Sequence, residues 1–231
     1  MLQTRKEHPK SSQPSKKFVQ DLFGFLASHY ESLIAVNISD KLSGAFRLSQ
    51  EASEAIGSFP SGIINSRQLS VSLGLIVYRI ALAIEEGKTH SEICDLAEEW
   101  AQKSRILVDI QTLEYMVRGG RVSPLKGMLA KALNLKPIIS LDAGGKAIGY
   151  GKSFSRSQNM KKIVGMAQKI HNEGKIWNYA IVHAQNRERA DRYAELLQEK
   201  IGQTPLYIMD ISPVVGVHNG IGAVGIGLMQ E

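Results

Sequence analysis

The residues of this chain that could do chemistry are mostly hydroxyls, glycines and single cations gathered in four short segments. Ser39-Asp-Lys-Leu-Ser-Gly-Ala-Phe46 follows the apolar run Leu33-Ile-Ala-Val-Asn-Ile38. A buried strand that runs into Ser43-Gly44 at a helix start is where an α/β protein holds an anion. The free N–H groups of the first helical turn face the crevice, and the hydroxyl adds a donor. Upstream stands Pro9-Lys-Ser-Ser-Gln-Pro-Ser15, a second hydroxyl-rich loop before a helix. Further on come Leu113-Glu-Tyr-Met-Val-Arg-Gly-Gly-Arg-Val-Ser123 and Val215-Gly-Val-His-Asn-Gly-Ile-Gly-Ala-Val-Gly225.

Each of these residues has a plain reading beside the chemical one. Ser43 is either a helix N-cap or an anion donor. With His218 it would also make a nucleophile and base, but a Gly-x-Ser-x-Gly elbow needs glycine at 41, where Lys41 stands. His218 has no acidic partner nearby in sequence, and His183 lies in an apolar strand as a core histidine. Arg121 is either a solvated surface cation or a guanidinium placed for two parallel bonds to a carboxylate or phosphate. The glycines around His218 permit tight turns or a close approach of backbone N–H groups to an anion. Gly151-Lys152-Ser153 ends like a phosphate loop, but Lys146 stands where the first glycine belongs, in a hairpin strand. No nucleotide motif remains, and no Cys/His/carboxylate spacing suggests a metal.

The elements that must position these groups follow from periodicity. Phe18, Leu22, Leu26 and Tyr30 recur every four residues and predict an amphipathic helix. A strand at 33–38, a helix to about Ile56, a strand at 62–66, a nearly all-apolar helix at 70–86 and a polar one at 90–103 follow. This rhythm predicts a parallel sheet with right-handed crossovers. Strands at 106–110, 136–141 and 146–155, the last two joined by the hairpin signal Asp142-Ala-Gly-Gly145, change the rhythm. Between them lie a short helix ending at Gly119-Gly120 and a helix at 123–133 with Ser123 as N-cap and Pro124 at its first position. A helix (158–171), a strand (179–184), a helix (187–201) and a strand (206–211) complete the chain. The expected boundary lies near Ser104, with a parallel-sheet α/β domain over 1–103 and a mixed-sheet α/β domain over 104–231.

Composition narrows the classes. The 231 residues, 43% hydrophobic and 22% charged, can bury a real core. The net charge is +6, but basic residues are spread along the chain and aromatics are few, so there is no nucleic-acid platform. One cysteine, Cys94, excludes an internal disulfide and suits a reducing compartment. With no membrane-length apolar run and no signal peptide, the expected location is the cytoplasm, without stable membrane insertion.

The four segments, in this order, resemble the DegV family of bacterial fatty-acid-binding proteins, and the resemblance runs the length of the chain. It implies two α/β domains with a buried long-chain fatty acid whose carboxylate is held by hydroxyls. It also implies a non-catalytic lipid carrier for fatty acid kinase, presenting the carboxylate to a separate ATP-binding kinase subunit that forms an acyl phosphate. No cofactor is expected. The family's Thr-Ser-Gln-Pro-Ser falls on Ser11-Ser12-Gln13-Pro14-Ser15 and its Leu-Ser-Gly on Leu42-Ser43-Gly44. Ser11, Ser12, Ser43, the Gly44 N–H and His218 are therefore the implied fatty-acid-binding groups, with Arg121 facing the partner or the acyl phosphate. Ser11 keeps a donor where threonine is commoner. Asp40 replaces a usual serine and adds a negative charge, and Ala45 and Ile221 replace threonine and proline. The family's first strand, with its Asp-Ser turn, has no counterpart before Met1. A fragment, an internal start or a naturally short chain would each give this, and each leaves a strand edge open to self-association.

Overall fold

The computed structural model describes residues 8–121 and 135–231. The helix expected at 123–133 lies outside the described residues. Among them are two sheets and eight helices.

The first part of the chain runs α1 (Lys16–Ala27), β1 (Leu33–Asn37), α2 (Ala45–Ala55), β2 (Ser61–Asn65), α3 (Ser70–Glu85) and α4 (His90–Lys103). β1 and β2 pair in parallel as a two-stranded sheet, and among the described residues no strand covers the other edge of β1. Ser15 caps α1 by accepting from the Phe18 N–H, and Thr89 with Glu92 forms a capping box on α4.

The helix at α1 forms as its pattern demands, but it turns a different face inward. Val19 and Phe23 pack against Leu33, Leu48 and Ala52, while Phe18 stays 61% exposed and Tyr30, beyond the helix end, 62%. Phe18-Leu22-Leu26 and Val19-Phe23-Leu26 are both apolar stripes at helical spacing. Periodicity cannot say which one α2 will cover.

The second part runs β3 (Ser104–Asp109), α5 (Glu114–Arg118), β4 (Lys136–Leu141), β5 (Ala147–Ser153), α6 (Arg156–Glu173), β6 (Ile176–His183), α7 (Arg187–Ile201), β7 (Ile208–Asp210), α8 (Pro213–Asn219) and β8 (Val224–Gln230). Its six strands lie in the order β5-β4-β3-β8-β6-β7. All neighbours are antiparallel except the parallel pair β6 and β7. The tip of the β4–β5 hairpin closes through Gly145, whose φ of +83° few side-chain-bearing residues adopt.

Two elements escaped the sequence pattern. α8 is a short helix started by Pro213, where the glycines had suggested a loop. β8 is with β3 one of the two central strands of the sheet, and its Gly225 and Gly227 had read as permitting tight turns or the approach of N–H groups to an anion. They serve close approach instead: a Cβ on Gly227 would lie 2.8 Å from the Ser72 backbone nitrogen. The start of α3 therefore rests directly on the strand.

The alternation of β3 divides the core. Ile106 and Val108 face a cluster with α3, α4 and Ile64 of β2, while Leu107 faces a second cluster with α6 and α7. Because α3 and α4 pack on β3, β6 and β8, one apolar cluster runs across the α4–β3 junction at Ser104. No described helix is long and apolar enough to cross a membrane.

Candidate functional site

A cavity of about 200 Å³ lies between the small sheet's turns and one face of the six-stranded sheet. Ile106 and Val108 of β3, Ile139 and Leu141 of β4 and Ala147 of β5 form one wall. Ile38, Leu42, Leu69, Met116, Val214 and Val215 form the rest of the apolar lining. The polar lining comprises Ser11, Ser12, Gln13, Ser43, Ser140, Arg121, His218 and Asn219.

Ser11, Ser12, Ser43, His218 and Arg121 are thus brought to one concavity from four separate segments. Gly44 is not on its wall. A Cβ there would lie 1.8 Å from Gln13 Oε1, so Gly44 admits the Gln13 side chain and lets the two hydroxyl loops pack together. Asp40 is also off the wall. It takes hydrogen bonds from Lys41 Nζ at 2.6 Å and Asn65 Nδ2 at 3.0 Å, which hold its carboxyl below the usual range and neutralise its charge locally.

The hydrogen bonds decide which donors are free. Ser11 Oγ lies 2.7 Å from His218 Nε2. Burial keeps the His218 imidazole below its ordinary pKa, and Arg121 and His8 act in the same direction, which favours the neutral ring. Its Nδ1 is buried with no partner among the described residues and is packed against Gly119, where a Cβ would come within 2.0 Å of it. A proton on Nδ1 would be an orphaned donor, so the partners assign it to Nε2. His218 then donates to Ser11 Oγ, and the Ser11 O–H is left to donate into the cavity. Ser43 Oγ accepts from the Ala45 N–H at 3.3 Å and keeps its own proton in the same way.

Arg121 has a role that sequence alone did not reveal. Its Nη1 donates to the Gly119 carbonyl at 2.6 Å and its Nη2 to the Ser11 carbonyl at 3.0 Å, clamping the Ser11 loop to the end of α5. Ser39, fully buried, was also passed over. Its Oγ donates to the Gly145 carbonyl at 2.8 Å, tying the Ser43 turn to the hairpin tip. The signal was a hydroxyl at the strand end four residues before Ser43, indistinguishable in sequence from a turn serine.

The remaining candidates take their plain readings. His183 is buried, with Nδ1 accepting from the Asn186 N–H and lying 3.2 Å from Asp210 Oδ1. Ser153 Oγ is spent on the Ser155 carbonyl and Asn159 Oδ1, at the end of a hairpin strand. Cys94 is half-buried beside His90, and burial raises its thiol pKa. Among the described residues no cluster of His, Cys, Asp and Glu could hold a metal.

The whole chain, residues 1–231, matches the family model described as "Uncharacterised protein, DegV family". The chain belongs to the DegV family. A DegV domain-containing protein of Clostridium acetobutylicum is 30% identical over 226 residues, covering 97% of this chain and 80% of the relative. One from Streptococcus pyogenes is 28% identical over 225 residues, covering 95% and 78%. Among solved structures, a fatty acid binding DegV family protein of Streptococcus agalactiae superposes with a TM-score of 0.92 at 24% identity, covering 100% of this chain and 81% of that one. A stearic acid-binding protein of Eubacterium ventriosum gives 0.89 at 20% identity, covering 100% and 81%. These likenesses establish a DegV fold for the two sheets described above.

Proposed function

We propose that this DegV protein holds a long-chain fatty acid in the cavity and presents its carboxylate to a separate ATP-dependent kinase subunit for acyl phosphate formation. It does no chemistry alone and works in the cytoplasm. The observation that carries the reading is the pair of hydroxyls, on Ser11 and Ser43, whose bonds within the protein leave each a proton to donate at a largely apolar cavity. A carboxylate leaving water without partners costs several kcal/mol or more, so a site for it must supply donors, and charge-assisted bonds are the strong ones. The neutral His218 contributes by fixing the Ser11 hydroxyl. Relatives described as binding fatty acid, stearic acid and heptadecanoic acid support the ligand class. Arg121, exposed beside the hydroxyls, is proposed both to clamp the loop and to face the partner, and the open edge of β1 to serve any self-association.

A serine hydrolase would pair His218 with Ser43 and orient it through a carboxylate. Here His218 is bonded to Ser11, and its Nδ1 meets no acceptor among the described residues. The test is mass spectrometry of an organic extract of the purified protein, together with labelling by a fluorophosphonate. A co-purified fatty acid with no serine adduct is expected. A covalent adduct on a cavity serine, with no lipid, would overturn the proposal in favour of an enzyme.

A further inference from the structure

On the opposite face of β3 from the cavity lies a buried charge cluster that the binding site itself does not use. Asp109, the last residue of β3, is fully buried. Its Oδ2 takes hydrogen bonds from Arg189 at 2.6 Å and Tyr193 Oη at 3.1 Å, with Arg156 at 3.4 Å, and its Oδ1 takes one from Asn159 at 3.1 Å. Two guanidinium groups share one carboxylate, so the cluster has donors left over. Arg156 directs one of them away from Asp109, to the Gly222 carbonyl at 2.6 Å, and Asn186 Nδ2 reaches the same carbonyl at 3.0 Å.

Gly222 stands four residues after His218, just past the end of α8. The backbone between them is pinned closely: the Gly222 N–H donates to the Ala184 carbonyl at 2.7 Å, and the Gly220 N–H to that of Gly216 at 2.8 Å. Asp109 is also joined by a short connection to α5, whose end packs on the His218 ring through Gly119. The cluster therefore anchors both segments that meet at His218. A buried carboxylate with two arginines is a costly device when stability is the only return, since an apolar cluster of the same volume often does as well.

We propose that Arg156, held by Asp109 and assisted by Asn186, is a positioning residue for the head-group site. It sets the Gly222 carbonyl, hence the end of α8, hence the angle at which His218 meets Ser11. The inference rests on the proposed function for its ligand but not for its geometry. Asn186 is a gentle place to cut, because its side chain makes no capping bond on α7.

The test uses the full chain, the variants Arg156→Lys and Asn186→Ala, and cis-parinaric acid as the fluorescent probe. The His218 ring resonance, identified by its loss in His218→Ala, is followed by NMR without ligand. Both variants should shift that resonance and weaken parinarate binding about three- to tenfold, the worth of one net hydrogen bond. In the His218→Ala background neither should weaken binding further, because the two changes act along one route. A wild-type His218 resonance in both variants, or losses that add to that of His218→Ala, would overturn the proposal. If wild-type protein fails to bind parinarate, the proposed function falls, and the ligand-free resonance still decides the positioning role. Should Arg156→Lys not fold, Asn186→Ala answers alone.

Discussion

Ser43→Ala is the sharpest test of the head-group assignment, because the structure separates its effect on binding from its effect on folding. Ser43 Oγ makes one long bond within the protein, accepting from the Ala45 N–H at 3.3 Å, and that N–H lies at a helix start where water can replace it. Loss of that bond should cost less than about 1 kcal/mol of stability. Its hydroxyl proton, by contrast, is free for the ligand. A hydrogen bond to a charged group is worth about 1.5–3 kcal/mol, so Kd for a fatty acid should rise roughly 10- to 150-fold. Titration with cis-parinaric acid, and its displacement by palmitate, gives Kd, while urea unfolding gives stability. Ser11→Ala should differ in kind. It removes a donor to the ligand and also strips His218 Nε2 of its acceptor, leaving both ring nitrogens unpartnered. A further loss of about 1–3 kcal/mol of stability should appear in the ligand-free protein. Ser43→Ala binding within twofold of wild type would refute the assignment. Equal stability loss in the two variants would refute a stabilising Ser11–His218 hydrogen bond.

Three other outcomes follow from the same geometry. His218 has a folded pKa below its ordinary 6.5, so as pH falls the unfolded chain takes up the proton first. Its contribution to stability is present above about pH 6.5 and is lost below it, toward the folded pKa. Urea midpoints at pH 7.5, 6.5 and 5.5 should fall more steeply in wild type than in His218→Gln. Gly227→Ala should destabilise by about 1–3 kcal/mol in urea unfolding, because its Cβ would meet the backbone of Ser72 and Val71 and push α3 off β8. Arg121→Ala should weaken parinarate binding several-fold by freeing the Ser11 carbonyl, and Arg121→Lys should restore little of it, since one ammonium cannot span two carbonyls in fixed geometry.

Much of the fold was legible because its elements carry local signatures. α4 has its capping box, β4 and β5 their turn residues, and α7 its period and its closing glycine. What escaped was set by packing between distant segments. Gly225 and Gly227 look like turn or anion-site residues until the position of α3 is known, so this central strand could not be read from its own residues. The inward face of α1 depended on which stripe α2 would cover. The site divides in the same way. Ser11, Ser43, Arg121 and His218 stood out in sequence through a resemblance, but spacing could not place His218 against Ser11. Nor could it show Arg121 spending two donors on carbonyls, or Gly44 lying off the wall behind Gln13.

The Ser11–His218 bond joins residues 207 apart in sequence, so one side of the head-group site exists only while the loop before α1 is closed onto the rest of the molecule. That loop is held by this bond, by the Arg121 clamp and by Gln13 against Gly44. None of these is an extended apolar contact, so the loop should open locally without global unfolding. A carboxylate bridging Ser11 and Ser43 would bind only the closed form and would shift the equilibrium by the factor 1 + [L]/Kd. Lys10, exposed in the loop, is a trypsin site that reports on opening. At a fatty-acid concentration 100 times Kd, cleavage after Lys10 should slow about 100-fold if reclosure outpaces cleavage. Trypsin sites frayed independently of the site, such as those at the exposed end of α6, should be cut at an unchanged rate. Cleavage after Lys10 that ignores a bound fatty acid would mean that the loop does not hold the carboxylate. Ser11 would then be a structural partner of His218 and nothing more.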